Sequence, residues 1–286
     1  MKRVSIKKCI SRSQTKFKDT VLRGAVPASD RGFLYGDGLF ETIAIQSGYP
    51  LILAAHIDRL AEGCQRLDIP IDAAMVRKSV LESSKSIDLG IVRVSLTRGE
   101  GGEGYKPPEI VHPNVIISTR PWPHRLAKFS EEGIETGVSK VNLSRQPLLA
   151  GLKHMNRLEQ VMARRHSPTA WPEVIMTSTS NQVIEGSYSN IFFLGSKEEL
   201  ITPDLSYCGV AGVIRDAIIN LANDEGRPVI IRDVRFSELL SAQELFFTNS
   251  IIGVWPVRKL ERRSFDIGVA REIHAKLKLI GAVVNA

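Results

Sequence analysis

The chain has 286 residues, of which 43% are hydrophobic and 24% charged, as is ordinary for a soluble globular protein. It contains no apolar run of membrane-spanning length and no apolar signal segment after its basic first residues, so we expect neither a membrane protein nor a secreted one. Three scattered cysteines without CxxC spacing favour the reducing cytoplasm, and six histidines without metal-ligand spacing argue against a metal site.

The formal net charge of +7 comes from the first segment of the chain. Residues 1–24 carry eight basic side chains and one acidic side chain, which leaves 30 of each sign in the remainder. Such a basic arm, without a zinc-finger, RNP-like or helix-turn-helix pattern, is typical of a solvated segment or a first strand rather than of a nucleic-acid-binding fold. We therefore expect no nucleic-acid partner.

Periodic hydrophobic patterns predict strands and helices throughout the rest of the chain. In the first half, we expect strands at residues 39–45, 92–97 and 115–118 and helices at residues 54–67 and 71–85. In the second half, we expect helices at residues 153–166, 212–223 and 266–279 and strands at residues 173–177, 190–194, 200–202, 228–232 and 244–248.

This mixture of elements predicts an α/β (α+β) protein of two domains. The sequence Arg120-Pro121-Trp122-Pro123 forms a stiff connector between the two halves. We therefore expect a smaller N-terminal domain at residues 1–119, a linker at residues 120–128 and a larger C-terminal domain at residues 129–286.

Lys153 stands in an unusual place for a lysine. It follows the small-residue turn at residues 149–152 and precedes a predicted helix. The apolar residues of that helix have a spacing that predicts one buried stripe, namely Met155, Leu158, Val161 and Met162. Taken alone, Lys153 is explained as a solvated lysine at a helix start.

Four further segments carry groups that can hold an anion or a cationic ring. Gly209 and Gly212 precede a helix whose first N–H groups, those of Val213 and Ile214, can bind a phosphate. The other three segments place single polar side chains on apolar elements or at their ends, namely Arg59, Glu185 and the run Thr248, Asn249 and Ser250. Each has a simpler explanation as an ordinary turn, a surface ion pair or an exposed loop residue.

Together these groups meet the needs of pyridoxal phosphate, which takes a lysine, a carboxylate for its pyridine nitrogen, and cationic and backbone donors for its phosphate. The segments SDRGFLYGDGLFETI (residues 29–43) and GLKHMNRLEQVMARR (residues 151–165) resemble those of the fold-type IV pyridoxal phosphate enzymes, the class IV aminotransferase family. The resemblance covers residues 29–260, most of the chain, and is greatest to the 4-amino-4-deoxychorismate lyase branch. It implies a homodimer with the cofactor at the domain interface.

The resemblance also implies roles for individual residues. Lys153 matches the catalytic lysine that bonds to the cofactor, and Glu185 matches the carboxylate that faces its pyridine nitrogen. The other cofactor-binding positions are Arg59, Val210, Val213, Ile214 and Ser250, of which Val210 packs on the ring and the rest hold the phosphate. Positions on the substrate side are Tyr35, Thr42 and Tyr105.

The loop GEGGEGY at residues 99–105 bears on which reaction the resemblance implies. In related D-amino-acid aminotransferases an Arg-x-His pair binds the substrate carboxylate where this chain has Glu103 and Tyr105, and a glutamate does not attract a carboxylate. The loop resembles that of the lyases, although Glu103 replaces a basic residue and Ala44 replaces an arginine common in the family. A flexible hairpin tip is the simpler explanation of the loop.

We therefore expect a lyase that converts 4-amino-4-deoxychorismate to 4-aminobenzoate and pyruvate, a step of folate biosynthesis. An aminotransferase for D-amino or branched-chain amino acids is the alternative, and it would need a 2-oxo acid acceptor. A non-enzymatic pyridoxal phosphate-binding protein is the third possibility, although such a protein would not need to keep Lys153 and Glu185.

Overall fold

A four-stranded antiparallel sheet forms the first part of the structure, a computed structural model that describes residues 26–285. The basic arm at residues 1–24 lies outside these described residues. The strands are β1 (Gly38–Gln46), β2 (Tyr49–Pro50), β3 (Leu89–Thr97) and β4 (Asn114–Pro121), and their order in the sheet is β2-β1-β3-β4. The helices of this part are α1 (Arg31–Tyr35), α2 (Leu53–Arg66) and α3 (Ala73–Ser84).

The packing of this first sheet follows from the alternation of side chains along β1. Leu39, Ile43 and Ile45 are buried and join a hydrophobic core with residues of α2 such as Ile57 and Leu60. Because successive side chains of a strand point to opposite faces, Phe40 and Thr42 lie on the other face. The helices therefore cover one face of the sheet and leave the other free to form a site.

A larger seven-stranded sheet and a three-stranded sheet make up the second part. The larger sheet has the order β10-β9-β8-β12-β13-β14 with β5 beside β13, and the smaller sheet has the order β11-β7-β6. These strands are β5 (Ile134–Thr136), β6 (Ile175–Thr177), β7 (Gln182–Gly186), β8 (Asn190–Leu194), β9 (Leu200–Pro203), β10 (Val229–Arg232), β11 (Val234–Arg235), β12 (Glu244–Asn249), β13 (Gly253–Leu260) and β14 (Arg263–Ser264).

Both faces of the larger sheet are covered, which explains the continuous apolar runs in its central strands. On one face, Phe192 and Phe246 stack with ring centroids 5.3 Å apart and pack against two helices. On the other face, Phe247 and Trp255 belong to a second core. The helices of this part are α4 (Lys128–Glu132), α5 (Leu158–Arg165), α6 (Val213–Asp224), α7 (Phe236–Leu239) and α8 (Gly268–Leu279), with a 3-10 helix at His124–Leu126.

The predicted mixed α/β architecture is confirmed, and most predicted strands and helices are present. The strand β13 was not predicted, because Gly253 and Pro256 interrupt its apolar pattern and glycine and proline normally mark strand ends or edges. Strand β4 extends through the first two residues of the predicted linker at residues 120–128. The domain limits themselves stay a prediction. Within residues 26–285, none of the helices combines the length and apolarity needed to cross a bilayer.

The prediction of a helix at residues 153–166 was wrong at its start, because helix α5 begins at Leu158. Residues 153–155 instead run beside β1, where the Phe40 N–H donates to the Lys153 carbonyl at 3.0 Å and the Met155 N–H to the Gly38 carbonyl at 2.9 Å. Pairing with β1 therefore takes the backbone groups that a helix would have used. Lys153 lies on this extended segment and not at a helix start.

The predicted buried stripe of α5 was also wrong. Leu158, Val161 and Met162 are 77%, 56% and 39% exposed, whereas the buried residues of this helix are Gln160 and Ala163. The helix thus turns its apolar residues outward and a polar residue inward. The hydrophobic spacing correctly predicted an α-helix but gave the opposite orientation. An apolar stripe indicates that one face of a helix is covered, but it does not show what covers that face.

Candidate active site

A cavity of about 1070 Å³ lies between the first sheet and the second part of the chain. It brings together eight of the ten predicted site residues, namely Thr42, Arg59, Lys153, Glu185, Val210, Val213, Ile214 and Ser250. These residues are far apart in the sequence, and the fold places them on the wall of one cavity. Tyr35 and Tyr105 do not line it.

The segment that carries Lys153 is held from both sides. Upstream of its pairing with β1, the Gly151 N–H donates to the Gly209 carbonyl at 2.9 Å and the Ala211 N–H to the Gly151 carbonyl at 3.0 Å. Gly151 has a φ of 79°, a left-handed conformation that favours glycine. This turn joins the lysine segment to the loop before α6, so that Lys153 is positioned by backbone bonds to both parts of the molecule.

The Lys153 side chain lies in an environment that favours its neutral form. Burial and the nearby positive charge of Arg59 lower the pKa of the Lys153 amine to about 7, although Glu41 and Glu185 oppose them. Its Nζ atom lies 4.5 Å from the centroid of the Phe40 ring. An amine with such a pKa can act as a nucleophile and as a base near neutral pH.

Glu185 is a buried carboxylate at the end of β7. Its Oε2 atom accepts a hydrogen bond from the Val210 N–H at 2.8 Å. Burial raises the pKa of Glu185 to about 7, against the opposing effects of Arg157 and this hydrogen bond. The side chain is only 4% exposed, so the simpler explanation of a turn residue facing water does not hold. A carboxyl group with this pKa can hold or release a proton when a charged group enters the cavity.

Arg59 is part of a buried network that the sequence did not reveal. Its Nε and Nη2 atoms donate to the two carboxylate oxygens of Glu41 at 2.8 and 2.6 Å, and its Nη1 donates to the Ala211 carbonyl at 2.8 Å. The Nδ1 atom of His56 lies 2.7 Å from Glu41 Oε2. Burial would raise the pKa of Glu41, but Arg59 and His56 outweigh it and lower that pKa to about 2.

A detectable signal for this network was present in the sequence. Glu41 is the single charged residue of β1, and His56 and Arg59 are three residues apart on α2, which places them on one face of a helix. The position of Glu41 in the strand does not show whether its side chain is buried or exposed. Its partners lie elsewhere in the chain, so the ion pair becomes visible only in the structure.

The N-terminus of α6 faces the cavity without a capping side chain. Its N-cap residue is Gly212, and Val213 and Ile214 begin the helix. A side chain at Gly212 would not fit, because its Cβ atom would lie 2.0 Å from Asn190 Oδ1. Asn190 in turn donates from Nδ2 to the Val210 carbonyl at 2.8 Å and so holds this loop. The positive end of the helix is therefore open toward the cavity, where it can bind an anion.

Ser250 completes this anion-binding corner of the cavity. Its hydroxyl oxygen lies 3.3 Å from His56 Nε2 and so connects to the network of Glu41 and Arg59. Among the residues that line the cavity, seven are cationic and one is a carboxylate, Glu185; the cations are Arg59, Arg93, Arg125, Lys128, Lys153, Arg157 and Arg164. The cavity thus attracts anions.

Tyr35 and Tyr105 meet each other outside this cavity. Their ring centroids are 5.2 Å apart, and Tyr105 is 85% exposed. The loop that carries Tyr105 and Glu103 is fixed by one side chain, because the Arg31 guanidinium donates to four backbone carbonyls, those of Gly101, Gly104, Tyr105 and Lys106. The loop is therefore a built structure and not a free hairpin tip. The substrate roles of both tyrosines stay predictions.

Comparison with known proteins agrees with this arrangement. The sequence profile described as "Amino-transferase class IV" matches residues 38–260 of the chain. The chain belongs to the class IV aminotransferase family. This confirms the family that the sequence resembles.

Relatives within the class IV aminotransferase family have two kinds of named activity. The chain is 36% identical over 234 residues to the aminodeoxychorismate lyase of Vibrio harveyi, which covers 81% of this chain and 86% of that protein. It is 32% identical over 258 residues to a putative branched-chain-amino-acid aminotransferase of Methanocaldococcus jannaschii, which covers 88% of each. A crystal structure of 4-amino-4-deoxychorismate lyase from Pseudomonas aeruginosa superposes with a TM-score of 0.86 at 41% identity, covering 89% of this chain and 95% of that one.

Proposed function

We propose that the protein is a pyridoxal phosphate-dependent lyase that converts 4-amino-4-deoxychorismate to 4-aminobenzoate and pyruvate. One observation carries the proposal: a single cationic cavity holds an amine and a carboxyl group, Lys153 and Glu185, which each have a pKa of about 7. The similarity to lyases from Vibrio harveyi and Pseudomonas aeruginosa supports the choice of reaction.

The residues that line the cavity fit pyridoxal phosphate in their chemistry. Lys153 would bond to the cofactor aldehyde, and Glu185 would face its pyridine nitrogen. The open N-terminus of α6 would take the phosphate, with N–H groups from Val213 and Ile214 and a hydroxyl from Ser250. Val210 would pack against the ring. Arg59 keeps two N–H groups beyond the three that bind Glu41 and Ala211, and these would complete the phosphate site.

Lys153 carries the proton transfer in this proposal. When bound, the cofactor withdraws electrons from the carbon beside the substrate nitrogen, which makes the C–H bond at that carbon acidic. Once the substrate amine has displaced Lys153, the freed Lys153 amine, whose pKa in this cavity is about 7, would be neutral often enough at physiological pH to accept this proton at Nζ. Loss of the proton and cleavage of the C–O bond to the neighbouring enolpyruvyl group would leave an aromatic ring. The departing enolpyruvate would take up a proton, such as the one held by Lys153, to become pyruvate.

Glu185 has a supporting role, because its pKa lets it share a proton with a basic ring nitrogen. Its Oε2 atom is oriented by the Val210 N–H at 2.8 Å. A carboxylate beside the ring nitrogen favours the protonated and thus electron-withdrawing ring. Glu185 and Lys153 are therefore assigned to opposite ends of the same reaction, one at the ring nitrogen and one at the reacting carbon.

Product analysis tests the proposal against the aminotransferase alternative. We expect the purified holoenzyme to release 4-aminobenzoate and pyruvate in equal amounts from 4-amino-4-deoxychorismate without any amino acceptor. A branched-chain or D-amino acid with 2-oxoglutarate should yield no glutamate at a comparable rate. Rapid transamination without 4-aminobenzoate formation would overturn the lyase assignment and leave the aminotransferase.

We also propose that the protein acts as a homodimer. Its described surface exposes large apolar side chains that include Leu158 on α5 (77%), Leu148 (78%) and Phe33 (73%). Apolar residues at such positions are typical of a surface that a partner covers. Sedimentation equilibrium should give twice the monomer mass of 31.6 kDa. A monomer at micromolar concentration would refute this part of the proposal.

The reaction is assigned to the cytoplasm and to folate biosynthesis. Cys64 and Cys208 are buried and unpaired, as expected for a protein of a reducing compartment. 4-Aminobenzoate is a folate precursor, so loss of the protein should create a growth requirement that added 4-aminobenzoate relieves. Growth that is unaffected by the deletion and by 4-aminobenzoate would contradict this assignment.

A further inference from the structure

Helix α5 is oriented with its polar face toward the cavity. Gln160 and Arg164 line the cavity wall, one helical turn apart, together with Val161, while Leu158 and Met162 face outward. Burial of a glutamine and an arginine in place of available leucine and methionine side chains is unfavourable unless these polar groups bind something. The orientation of α5 therefore provides polar groups for a ligand in the cavity, while its outward apolar residues would meet the partner in the proposed homodimer.

Two atoms of this face are buried without a partner. Among residues 26–285, Gln160 Oε1 and Arg164 Nη1 form no hydrogen bond although both are inaccessible to solvent, and the Gln160 residue is only 8% exposed. Arg164 is nevertheless held in place, because its Nη2 atom donates to the Trp171 carbonyl at 2.9 Å. Buried polar groups in native proteins almost always have partners. The fixed arginine and the free amide thus form the two sides of a site for a ligand group.

The cavity wall around Arg164 is positively charged and would favour an anionic ligand. Arg125 also lines the wall, and the carboxylates that line the cavity are limited to Glu185, which lies at the lysine end. An arginine with an adjacent amide is suited to a carboxylate, since the guanidinium offers N–H groups in one plane and the Gln160 amide, turned by 180° so that its –NH₂ takes the place of the unpartnered Oε1, adds a further donor. Neither Arg164 nor Arg125 has an ion-pair partner among the described residues.

The position of this site relative to Lys153 indicates which part of the substrate it meets. Arg157 lies at the start of α5 and is held beside Lys153, because its Nε and Nη2 atoms donate to the carbonyls of His154 and Leu152. Arg164 follows seven residues later, which is about 10 Å farther along the helix. A substrate whose amine reacts at Lys153 would therefore present its far end to Gln160 and Arg164.

We propose that Gln160 and Arg164 form the subsite for the ring carboxylate of the substrate, the carboxylate opposite the reacting amine. This inference rests on the proposed lyase function. The enolpyruvyl carboxylate is attached next to the amine-bearing carbon and would stay near Lys153, whereas the ring carboxylate is retained in 4-aminobenzoate. The subsite would also supply the positive charge that Ala44 and Glu103 do not provide.

The test compares two ligands that differ only in this carboxylate. 4-Aminobenzoate carries it, and 4-aminobenzamide has a neutral amide in its place, so the ratio of their dissociation constants from the holoenzyme measures recognition of the charge. Gln160→Glu would place a carboxylate against Arg164, and Arg164→Gln would remove the cation. We expect each variant to lower the preference for 4-aminobenzoate about ten- to hundredfold. The KM for substrate should rise while kcat changes little.

Matched controls separate this effect from a change in net charge or stability. Gln65→Glu on α2 and Arg165→Gln next to Arg164 change the same residue types at exposed positions. Both controls should keep the wild-type preference. Gln160→Met retains the size of the side chain without its amide and should lose preference for the carboxylate even if the charged variant folds poorly.

The results also distinguish the two proposals. If the wild-type protein forms no 4-aminobenzoate, the proposed function fails, and calorimetric binding of the two ligands still tests the subsite. If the wild-type protein is a lyase and the Gln160 and Arg164 variants keep the wild-type preference, the subsite assignment is wrong. A loss of affinity for both ligands alike would likewise overturn it, because it would indicate a general disturbance of the cavity.

Discussion

Two buried glutamates, one on β1 and one on β7, differ in how their charge is balanced. Glu41 on β1 receives two hydrogen bonds from Arg59 and lies 2.7 Å from His56, and its pKa is lowered to about 2. Glu185 on β7 receives a single backbone hydrogen bond and forms no ion pair among residues 26–285, and burial raises its pKa to about 7. Both side chains are almost inaccessible, at 1% and 4% exposure.

Burial is the same for both glutamates, so the role of each acid depends on the groups that form hydrogen bonds or ion pairs with it. Glu41 is a permanent anion that orients Arg59 at the edge of the cavity. Glu185 has no ion-pair partner among the described residues, and its raised pKa lets it hold a proton until a cationic group binds, which suits a residue that interacts with a ligand. Lys153 lies within the field of both carboxylates. Four predictions test this difference, from the largest expected effect to the smallest.

The largest effect should come from Lys153→Ala. This change removes the amine that both glutamates influence, and with it the nucleophile and the base. Formation of 4-aminobenzoate in a single turnover should fall by at least ~10²–10⁴, the usual contribution of a general base. Lys140→Ala, at an exposed position, is the control. A Lys153→Ala enzyme with bound cofactor and a near-normal rate would show that another group transfers the proton.

Glu41→Gln should destabilise the cofactor-free protein. The change leaves the Arg59 cation partly buried without its counter-ion, and breaking a buried pair in this way typically costs about 3–5 kcal/mol. The free energy of unfolding from urea titration measures the loss. Glu82→Gln on the exposed surface of α3 is the matched control and should change little. Equal stability of the two variants would mean that Glu41 and Arg59 are not a structural pair.

The contribution of Glu185 to the free energy of unfolding should instead decrease as the pH rises. Its pKa is raised from 4.5 to about 7 in the folded chain, so the folded state binds the proton more tightly than the unfolded state does. The resulting stabilisation is complete below pH 4.5 and is lost as the pH rises through about 7. The loss amounts to about 3 kcal/mol for the cofactor-free protein.

Glu185→Gln tests this sign, because the amide has no proton to lose. Between pH 5 and pH 7, roughly the interval between the two pKa values, the wild-type free energy of unfolding should fall relative to that of the variant. The opposite slope, with the wild type gaining stability as the pH rises, would place a permanent cation beside Glu185 and remove its contrast with Glu41.

The smallest effect is expected for Arg59→Lys. A lysine retains the charge but cannot bind both oxygens of Glu41 while also donating to a phosphate. The dissociation constant of pyridoxal phosphate, measured by fluorescence titration of the cofactor-free protein, should rise about tenfold. Arg66→Lys on the same helix is exposed and should bind the cofactor normally. Unchanged affinity of the Arg59 variant would place this side chain outside the phosphate site.

Much of the fold could be predicted from local patterns. The alternation of Leu39, Ile43 and Ile45 predicted β1 within one residue at either end, because one face of that strand packs on a core. Pairing between distant segments leaves no such pattern. The contact of residues 153–155 with β1 depends on a turn at Gly151, and the sequence of the following helix gave no indication of it.

The candidate site was predicted through resemblance more than through patterns. Lys153 and Glu185 were singled out as polar residues in apolar surroundings, and the family resemblance assigned their chemistry. Glu41 and His56 were missed because a single acid in a strand and a single histidine in a helix have no visible partner in the sequence. Gln160 was missed because apolar neighbours suggested that its face of α5 was the exposed one.

Because Arg31 contacts the backbone of the glycine-rich loop, the conformation of the loop does not depend on its exposed side chains. Within the loop the guanidinium binds only carbonyl oxygens, while its Nε atom donates to Asp37 outside the loop, and Gly101, Gly102 and Gly104 supply the left-handed backbone that brings these carbonyls together. None of these interactions depends on the side chains of Glu103 or Tyr105. Evolution can therefore exchange the outward-facing residues of the loop while one arginine keeps the backbone in place.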